Sequence, residues 1–367
     1  MKAQKKIQTQ TQESKAWPKV AIIVLNWNGW RDTIECLESL QRLTYPNYQI
    51  IVVDNGSTDD SVEKIKAWAR DEIPVMSKFC EYDPSTKPVQ WIEYDRTIAE
   101  VGWIPEEVRI KQCPSNQRMI LIKTNENLGY GGGNNVGIRY ALKTGAEYVL
   151  LLNNDTVVNP DFLIFLVQIA EGDTRCSLMG AKIYYYSEPN RIWFAGGRYS
   201  WYKEGKHIGY GKYDNGMNYQ GVKSSDWITG CALLVPKEIL QKIGLLDENF
   251  FLYGEDTDFS RRAIEAGFSC KVNLNTYLWH KVGSSTGLSS QSPLAYYYGT
   301  RNRLYYHHKH AQSSIDNALF FLLFLMVRLV RSFQWLLTGR ADLIKATWRG
   351  VTDYIKGRLG RSSYYGA

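Results

Sequence analysis

The sequence predicts an α/β fold built on a mostly parallel sheet flanked by helices, and three observations carry that expectation. Apolar runs of strand length recur at Lys19–Asn26 (KVAIIVLN), Tyr48–Val53 (YQIIVV) and Tyr148–Leu152 (YVLLL). They are continuous rather than alternating, as strands buried on both faces read. Each of the first two runs is followed by a helical segment. Trp30–Leu43 spaces Ile34, Leu37, Leu40 and Leu43 along one face, and Ser61–Arg70 follows the capping residues Ser57-Thr58-Asp59-Asp60. Strand, helix, strand, helix in this order implies parallel pairing through right-handed crossovers. The composition of the 367-residue chain, 44% hydrophobic and 22% charged, excludes disordered and fibrous classes.

The remaining elements follow in order. Residues 71–118 carry Pro74, Pro84, Pro88, Pro105 and Pro114 and read as an insertion. Met119–Lys123 reads as a strand, Asn125–Asn135 as a Gly-rich loop, and Val136–Lys143 as a helix. Asp161–Ala170 is helical, and the Gly- and Tyr-rich stretch 180–225 suits small antiparallel strands. Ile228–Val235 is apolar, while Lys237–Ile243 and Asp256–Ala266 have helical patterns.

The net charge of +7 is uneven. After residue 300 there are eleven Lys/Arg against three Asp, so the excess belongs to the C-terminal region and points to an anionic surface. That region contains ten uninterrupted apolar residues, Ala318–Val327, after which Arg328, Arg331 and Gln334 break the run at every third position. A spanning helix needs about 20 predominantly apolar residues, and each Arg near its centre costs roughly 2.5–3.5 kcal/mol. Polar residues on one face instead describe a helix lying in the membrane surface. The same sequence also suits a helix packed on the preceding domain. The apolar first half disfavours a nucleic-acid groove, so no nucleic acid is expected.

Met1–Lys15 is polar and reads as a disordered leader (residues 1–16) rather than a signal peptide, which implies a cytoplasmic protein. Six dispersed Cys form no CxxC and fit no zinc spacing, consistent with buried thiols in a reducing compartment. The organisation expected is a catalytic domain over 17–300, with the insertion, and a basic helical region over 301–367.

Ligands of parallel sheets bind beyond the C-terminal strand ends, which draws attention to five segments. Asp54-Asn55-Gly56-Ser57 follows the second strand, where a carboxylate can bond a ribose or a base N–H. Asn127–Asn135 carries three consecutive Gly before a helix whose free N–H groups suit an anion. Asn153-Asn154-Asp155 ends another buried strand, and Mg²⁺ is held by one or two carboxylates plus substrate phosphates. Glu255-Asp256-Thr257-Asp258 gathers three acids at a helix start, where mutual repulsion raises a carboxyl pKa toward the range of a general base. Trp279-His280 precedes Gly283-Ser284-Ser285. Each segment alone also reads as a capped turn, a flexible loop or a buried polar residue.

Together, and in this order, they resemble the family 2 glycosyltransferases of GT-A (Rossmann-like) fold, in particular the rhamnosyltransferase-like branch. The resemblance runs from about Lys19 to Thr286 on VLNWNG (24–29), VVDNGSTDDS (52–61), NENLGYGGGNNVG (125–137), LLLNNDT (150–156), ITGCALLV (228–235), GLLDENFFLYGEDTDFSRRA (244–263) and WHKVGSS (279–285). It implies that Asn26, Asn28, Asp54 and Ser57 hold the nucleoside of a nucleoside-diphosphate sugar, and that Asn127, Gly129, Asn134 and Asn154 shape the donor pocket. Asn153-Asn154-Asp155 stands where the family has its DXD motif, with Asn153 replacing the first acid. Asp155 is then the expected ligand of Mg²⁺ or Mn²⁺, and His280 approaches the metal or diphosphate. Asp256 is the expected base, with Glu255 and Asp258 as helpers and Trp227 and Asp258 toward the acceptor, a glycan or a lipid-linked carrier. The implied reaction is a single displacement with inversion. A catalytically inactive sugar-nucleotide-binding homologue is the competing expectation.

Overall fold

Along the chain of this computed structural model, β1 (Val20–Asn26) leads through α1 (Trp30–Leu40) to β2 (Tyr48–Asp54) and α2 (Ser61–Ala69). The region 71–118 supplies β3 (Gln90–Asp95), α3 (Arg96–Val101) and α4 (Glu107–Lys111). Next come β4 (Arg118–Lys123), α5 (Gly129–Lys143), β5 (Tyr148–Asn153), β6 (Thr156–Val158), α6 (Phe162–Glu171) and β7 (Ser177–Tyr185). Four short strands follow: β8 (Ile192–Phe194), β9 (Gly197–Arg198), β10 (Lys206–His207) and β11 (Val222–Ser225). The domain closes with β12 (Ala232–Pro236), α7 (Lys237–Ile243), α8 (Glu255–Glu265) and β13 (Ser269–His280), and α9 (Pro293–His310), α10 (Ser314–Leu337) and α11 (Ala341–Ile355) complete the chain. The structure describes residues 17–101, 107–200, 205–282 and 292–364; the leader expected at 1–16 and the Gly283-Ser284-Ser285 motif lie outside them.

The sheet runs β3-β4-β2-β1-β5-β12-β7-β13-β11. β1 pairs parallel with β2 and β5, β4 pairs parallel with β2 and β3, β12 runs antiparallel between β5 and β7, and β13 is parallel to β7. The apolar runs form its centre because they are almost wholly apolar, with Gln49 near the start of β2 the exception; Ile22, Ile23, Ile51, Val52, Leu150 and Leu151 are all buried. In register, Asn26 faces Asp54 and Leu25 faces Asn153, so these strands end at one edge. Strand order reverses at β1, with β2 and β4 on one side and β5 on the other, which opens the ligand crevice of an α/β sheet there.

Three elements differ from the sequence reading. The 71–118 region is part of the sheet: β3 extends it beside β4, and Tyr94 Oη and Tyr140 Oη both donate to Glu107 Oε1 at 2.9 and 2.6 Å. The Gly-rich segment is helical from Gly129 onward. Its glycines bring α5 down onto β1, since a Cβ at Gly133 would stand 2.5 Å from Leu25 Cδ1 and one at Gly137 2.8 Å from Ile23 Cγ2. Strand β13 was not anticipated because Asn273, Asn275 and Thr276 interrupt its apolar pattern.

Helix α9 runs across residue 300 and buries Tyr297, Tyr298, Arg301, Asn302 and Leu304. Helix α10 buries only Phe320, Phe324 and Trp335. Leu319, Leu322, Met326, Leu329, Val330, Phe333, Leu336 and Leu337 are exposed. The helix is long and apolar enough to cross a membrane by length and composition. All six cysteines are free thiols.

Candidate active site

The strand ends at the switch point are tied together by side chains. Asn26 Nδ2 donates to Asp54 Oδ1 at 2.8 Å and to Ser57 Oγ at 3.1 Å, and Ser57 Oγ donates to Asp54 Oδ1 at 2.6 Å. Asn28, at φ 51°, receives the Thr58 N–H on Oδ1 at 2.8 Å, and its own N–H donates to Ser57 Oγ at 2.9 Å. Thr33 bridges the crevice: its Oγ1 donates to Asn26 Oδ1 at 2.9 Å and accepts from Asn154 Nδ2 at 2.9 Å. Asn127 Oδ1 accepts from Gly129 N at 2.9 Å and Asn55 Nδ2 at 3.2 Å, fixing the entry to α5. Asn55 N donates to Asn26 O at 2.8 Å and so joins Asn127 to Asn26, Asn28, Asp54, Ser57 and Asn154 in one braced network. Gly129 opens α5 at φ 75°, and Asn134 is buried in that helix, with Nδ2 donating to Tyr130 O at 3.0 Å.

Chain reversal after β5 makes the second group. β6 returns antiparallel to the end of β13, pairing Thr156 with His280, which sets Asp155 beside the imidazole. Asp155 Oδ1 lies 3.1 Å from His280 Nε2, both buried. Burial pushes the His280 pKa down, but the Asp155 carboxylate outweighs it, so His280 titrates well above an ordinary histidine. The donor set fits a divalent cation in part. Octahedral ligands at about 2.1 Å stand about 3 Å from their neighbours, which matches this separation. The Cys231 thiol also hydrogen-bonds His280, but among the described residues no group of three Asp, Glu, His or Cys is arranged to hold a metal ion. A Mg²⁺-type site takes its remaining ligands from water and substrate phosphates.

The third group is at the start of α8. Asp256 Oδ2 accepts from Gly230 N at 2.9 Å, just before β12, and Oδ1 accepts from Thr257 N at 2.7 Å. Tyr130 Oη donates to Gly230 O at 2.6 Å, which links this turn to α5. Burial raises the Asp256 pKa. Burial and then the Asp256 charge push Glu255 up to about 8, and among the described residues Glu255 Oε2 is buried without a partner. The charges of Asp256 and His280 both act on the buried His207, so the second and third groups share one electrostatic neighbourhood.

Two expected residues sit differently. Asp258 is fully buried in an ion cluster with Arg262 (2.8 Å), Lys309 (2.8 Å) and His310 (2.9 Å). Burial alone would raise it, but the His310 hydrogen bond and the two cations hold its carboxyl at about 2. It fastens α9 to α8 rather than facing an acceptor. Trp227 is also buried, its ring 5.3 Å from both Phe194 and His207, and among the described residues Nε1 has no hydrogen-bond partner. The sequence reading did not single out Thr33, Tyr130, His207 or Lys281, which pairs with Asp32 and Glu35. His207 stood alone in a Gly- and Tyr-rich stretch, and Thr33 sat inside a helix pattern, so neither carried a signal.

The family model described as glycosyl transferase family group 2 matches residues 148–344, and that of glycosyl transferase family 2 matches residues 21–81. The chain belongs to glycosyltransferase family 2. It is similar to a low-salt glycan biosynthesis hexosyltransferase of Haloferax volcanii, 25% identical over 222 residues that cover 50% of this chain and 66% of that one. It is also similar to a dTDP-rhamnosyl transferase of Shigella flexneri, 24% identical over 198 residues, 51% of this chain and 62% of the relative. The chain spans just under two thirds of the length of these two curated relatives. A mannosyltransferase from Pyrobaculum calidifontis, solved with GDP-Man and Mn²⁺, shares the fold with TM-score 0.52 at 12% identity, covering 94% of this chain and 89% of that one.

Proposed function

We propose that the protein is an inverting glycosyltransferase that moves rhamnose or a hexose from a nucleoside-diphosphate donor to a hydroxyl of a glycan or lipid-linked acceptor. One observation carries this reading: the Asn26–Asp54–Ser57 network, the Asp155–His280 pair and the Asp256 turn, from distant parts of the sequence, stand along one edge of one sheet. The hexosyl- and rhamnosyltransferase names of the relatives support the sugar class.

In this reading Asn26, Asn28, Asp54 and Ser57 bind the nucleoside, and Asn127, Gly129, Asn134 and Asn154 shape the donor pocket. Asp155 and, once its proton is displaced, His280 would hold Mg²⁺ or Mn²⁺, as Mn²⁺ accompanies the nucleotide sugar in the Pyrobaculum enzyme. When bound, the cation neutralises charge on the departing diphosphate. Asp256 removes the proton from the acceptor hydroxyl while its oxygen attacks the anomeric carbon opposite the diphosphate. The C–O bond to the diphosphate breaks, and configuration inverts. Glu255 stays protonated at neutral pH, given its pKa near 8, and spares the site a second negative charge.

Helix α10 presents the membrane surface of this reading. Its exposed Leu322, Leu329 and Phe333 enter the interface with Arg328 and Arg331 near anionic headgroups, as a peripheral protein at the inner face of the cell membrane. Flotation with anionic vesicles should be lost on Leu329→Glu with Phe333→Glu; undiminished flotation of that variant refutes this docking.

The deciding experiment screens nucleoside-diphosphate sugars with Mn²⁺ for thermal stabilisation, then measures nucleoside-diphosphate release with and without acceptor lipids. Stabilisation by a donor with release upon acceptor addition is expected. Stabilisation without any release would instead define an inactive sugar-nucleotide-binding homologue.

A further inference from the structure

Residues 249–254, which lead into α8, are an unusual piece of backbone. Phe251 has φ 62°, Tyr253 φ 69° and Gly254 φ 100°. A positive φ is uncommon for a residue with a side chain, and it persists only where surroundings over-determine it. The surroundings here are two consecutive side chains of α9. Asn302 Nδ2 donates to the carbonyls of Phe250 (2.8 Å), Leu252 (2.7 Å) and Tyr253 (2.8 Å), sharing two hydrogens among three acceptors. Arg301 Nη2 donates to Phe250 O at 2.9 Å and Asn249 O at 3.2 Å, while its Nη1 donates to Gly360 O at 2.6 Å. Arg301 Nε donates to Asn302 Oδ1 at 3.0 Å, which fixes the orientation of the amide.

Both side chains are buried, Arg301 at 0% and Asn302 at 2% exposure. A guanidinium taken fully out of water is expensive, and among the described residues this one bonds backbone carbonyls and the Asn302 amide rather than a carboxylate. On its other side the loop meets the start of α5, where Tyr130 N donates to Phe251 O at 2.7 Å and Gly129 packs against Phe251. It then enters α8, with Asp258 N donating to Gly254 O at 2.9 Å.

We propose that Arg301 and Asn302 are positioning residues for transfer: they hold residues 249–254 in the one conformation that sets Glu255 and Asp256 at the sheet edge. The proposal rests on Asp256 acting as base, yet it concerns the loop and is measurable apart from that role. It also gives α9, outside the sheet, a part in catalysis without contact with either substrate.

The test compares Asn302→Ala, Asn302→Asp and Arg301→Lys with Tyr297→Phe in the full chain. The control removes the Tyr297 Oη bond from α9 to Asp353 Oδ2 of α11 (2.9 Å) and leaves the ring and the Arg301 and Asn302 bonds to the loop in place. Misplacing a reacting group by about 1 Å costs about 100-fold in rate, so kcat of the loop variants should fall about tenfold to a hundredfold. Their donor KM should stay within about threefold, because the nucleoside network is untouched. The pH profile should move in the loop variants alone, and amide hydrogen exchange over 250–258 should accelerate. Tyr297→Phe should lower thermal stability with kcat retained. Wild-type kcat in Asn302→Ala, or losses of kcat that track stability across all four variants, would overturn the proposal. Should Asn302→Asp not fold, the alanine and lysine variants decide. A wild-type protein that transfers no sugar removes the function reading, and exchange over 250–258 then decides the clamp alone: acceleration supports it and unchanged rates overturn it.

Discussion

Replacing Asp256 by Asn is the most informative single perturbation. The side chain keeps its size, and the two ends of the carboxylate are already engaged by backbone donors, Gly230 N at 2.9 Å and Thr257 N at 2.7 Å. An amide offers one acceptor oxygen, so one of these N–H groups must face Nδ2. Leaving a buried donor without its acceptor costs about 1–3 kcal/mol, which the melting temperature should register as a modest drop. Loss of the general base weighs more heavily on the rate, typically about 10²–10⁴-fold. At about 1.36 kcal/mol per tenfold this amounts to roughly 2.7–5.4 kcal/mol of barrier. The assay is nucleoside-diphosphate release at saturating donor and acceptor, beside donor affinity by calorimetry. Turnover should collapse while donor affinity stays within about threefold. A variant turning over within about threefold of wild type at saturation would remove Asp256 from the chemistry.

Other outcomes follow from the same geometry. Asp155→Ala should abolish the Mn²⁺-dependent part of nucleotide binding, and chelation should silence the wild type until Mg²⁺ or Mn²⁺ is restored; full activity in chelator would refute the metal role. Glu255 titrates higher folded than unfolded, so the folded state holds the extra proton and stability declines as pH rises from about 4.3 toward 8. Glu255→Gln should therefore melt higher than wild type above about pH 8, and an unchanged difference between pH 5 and pH 9 would contradict the raised pKa. Gly133→Ala should lose about 1–3 kcal/mol in chemical denaturation, because its Cβ would stand 2.5 Å from Leu25 Cδ1.

The legibility of the molecule in its sequence varies with the range of the forces involved. The central strands were readable because burial on both faces demands unbroken Val, Ile and Leu, and the turns after them because capping residues are local. β3 and β13 were not, since their stability comes from partners such as β4 and β7 rather than from their own patterns. The glycines of α5 read as a loop because their local conformational freedom hides their use, which is the close approach of that helix to β1.

The sequence by itself determined the α/β class, the position of the strand ends and the chemical kinds of residue placed there, because these depend on periodicity and local bonding. Only the tertiary structure decided which of those residues meet. It set His280 against Asp155 through the reversal of β6, withdrew Asp258 into an ion cluster with α9, and recruited Thr33, His207, Arg301 and Asn302. Such encounters join residues far apart along the chain, and their energy is realised only when burial removes water from both partners.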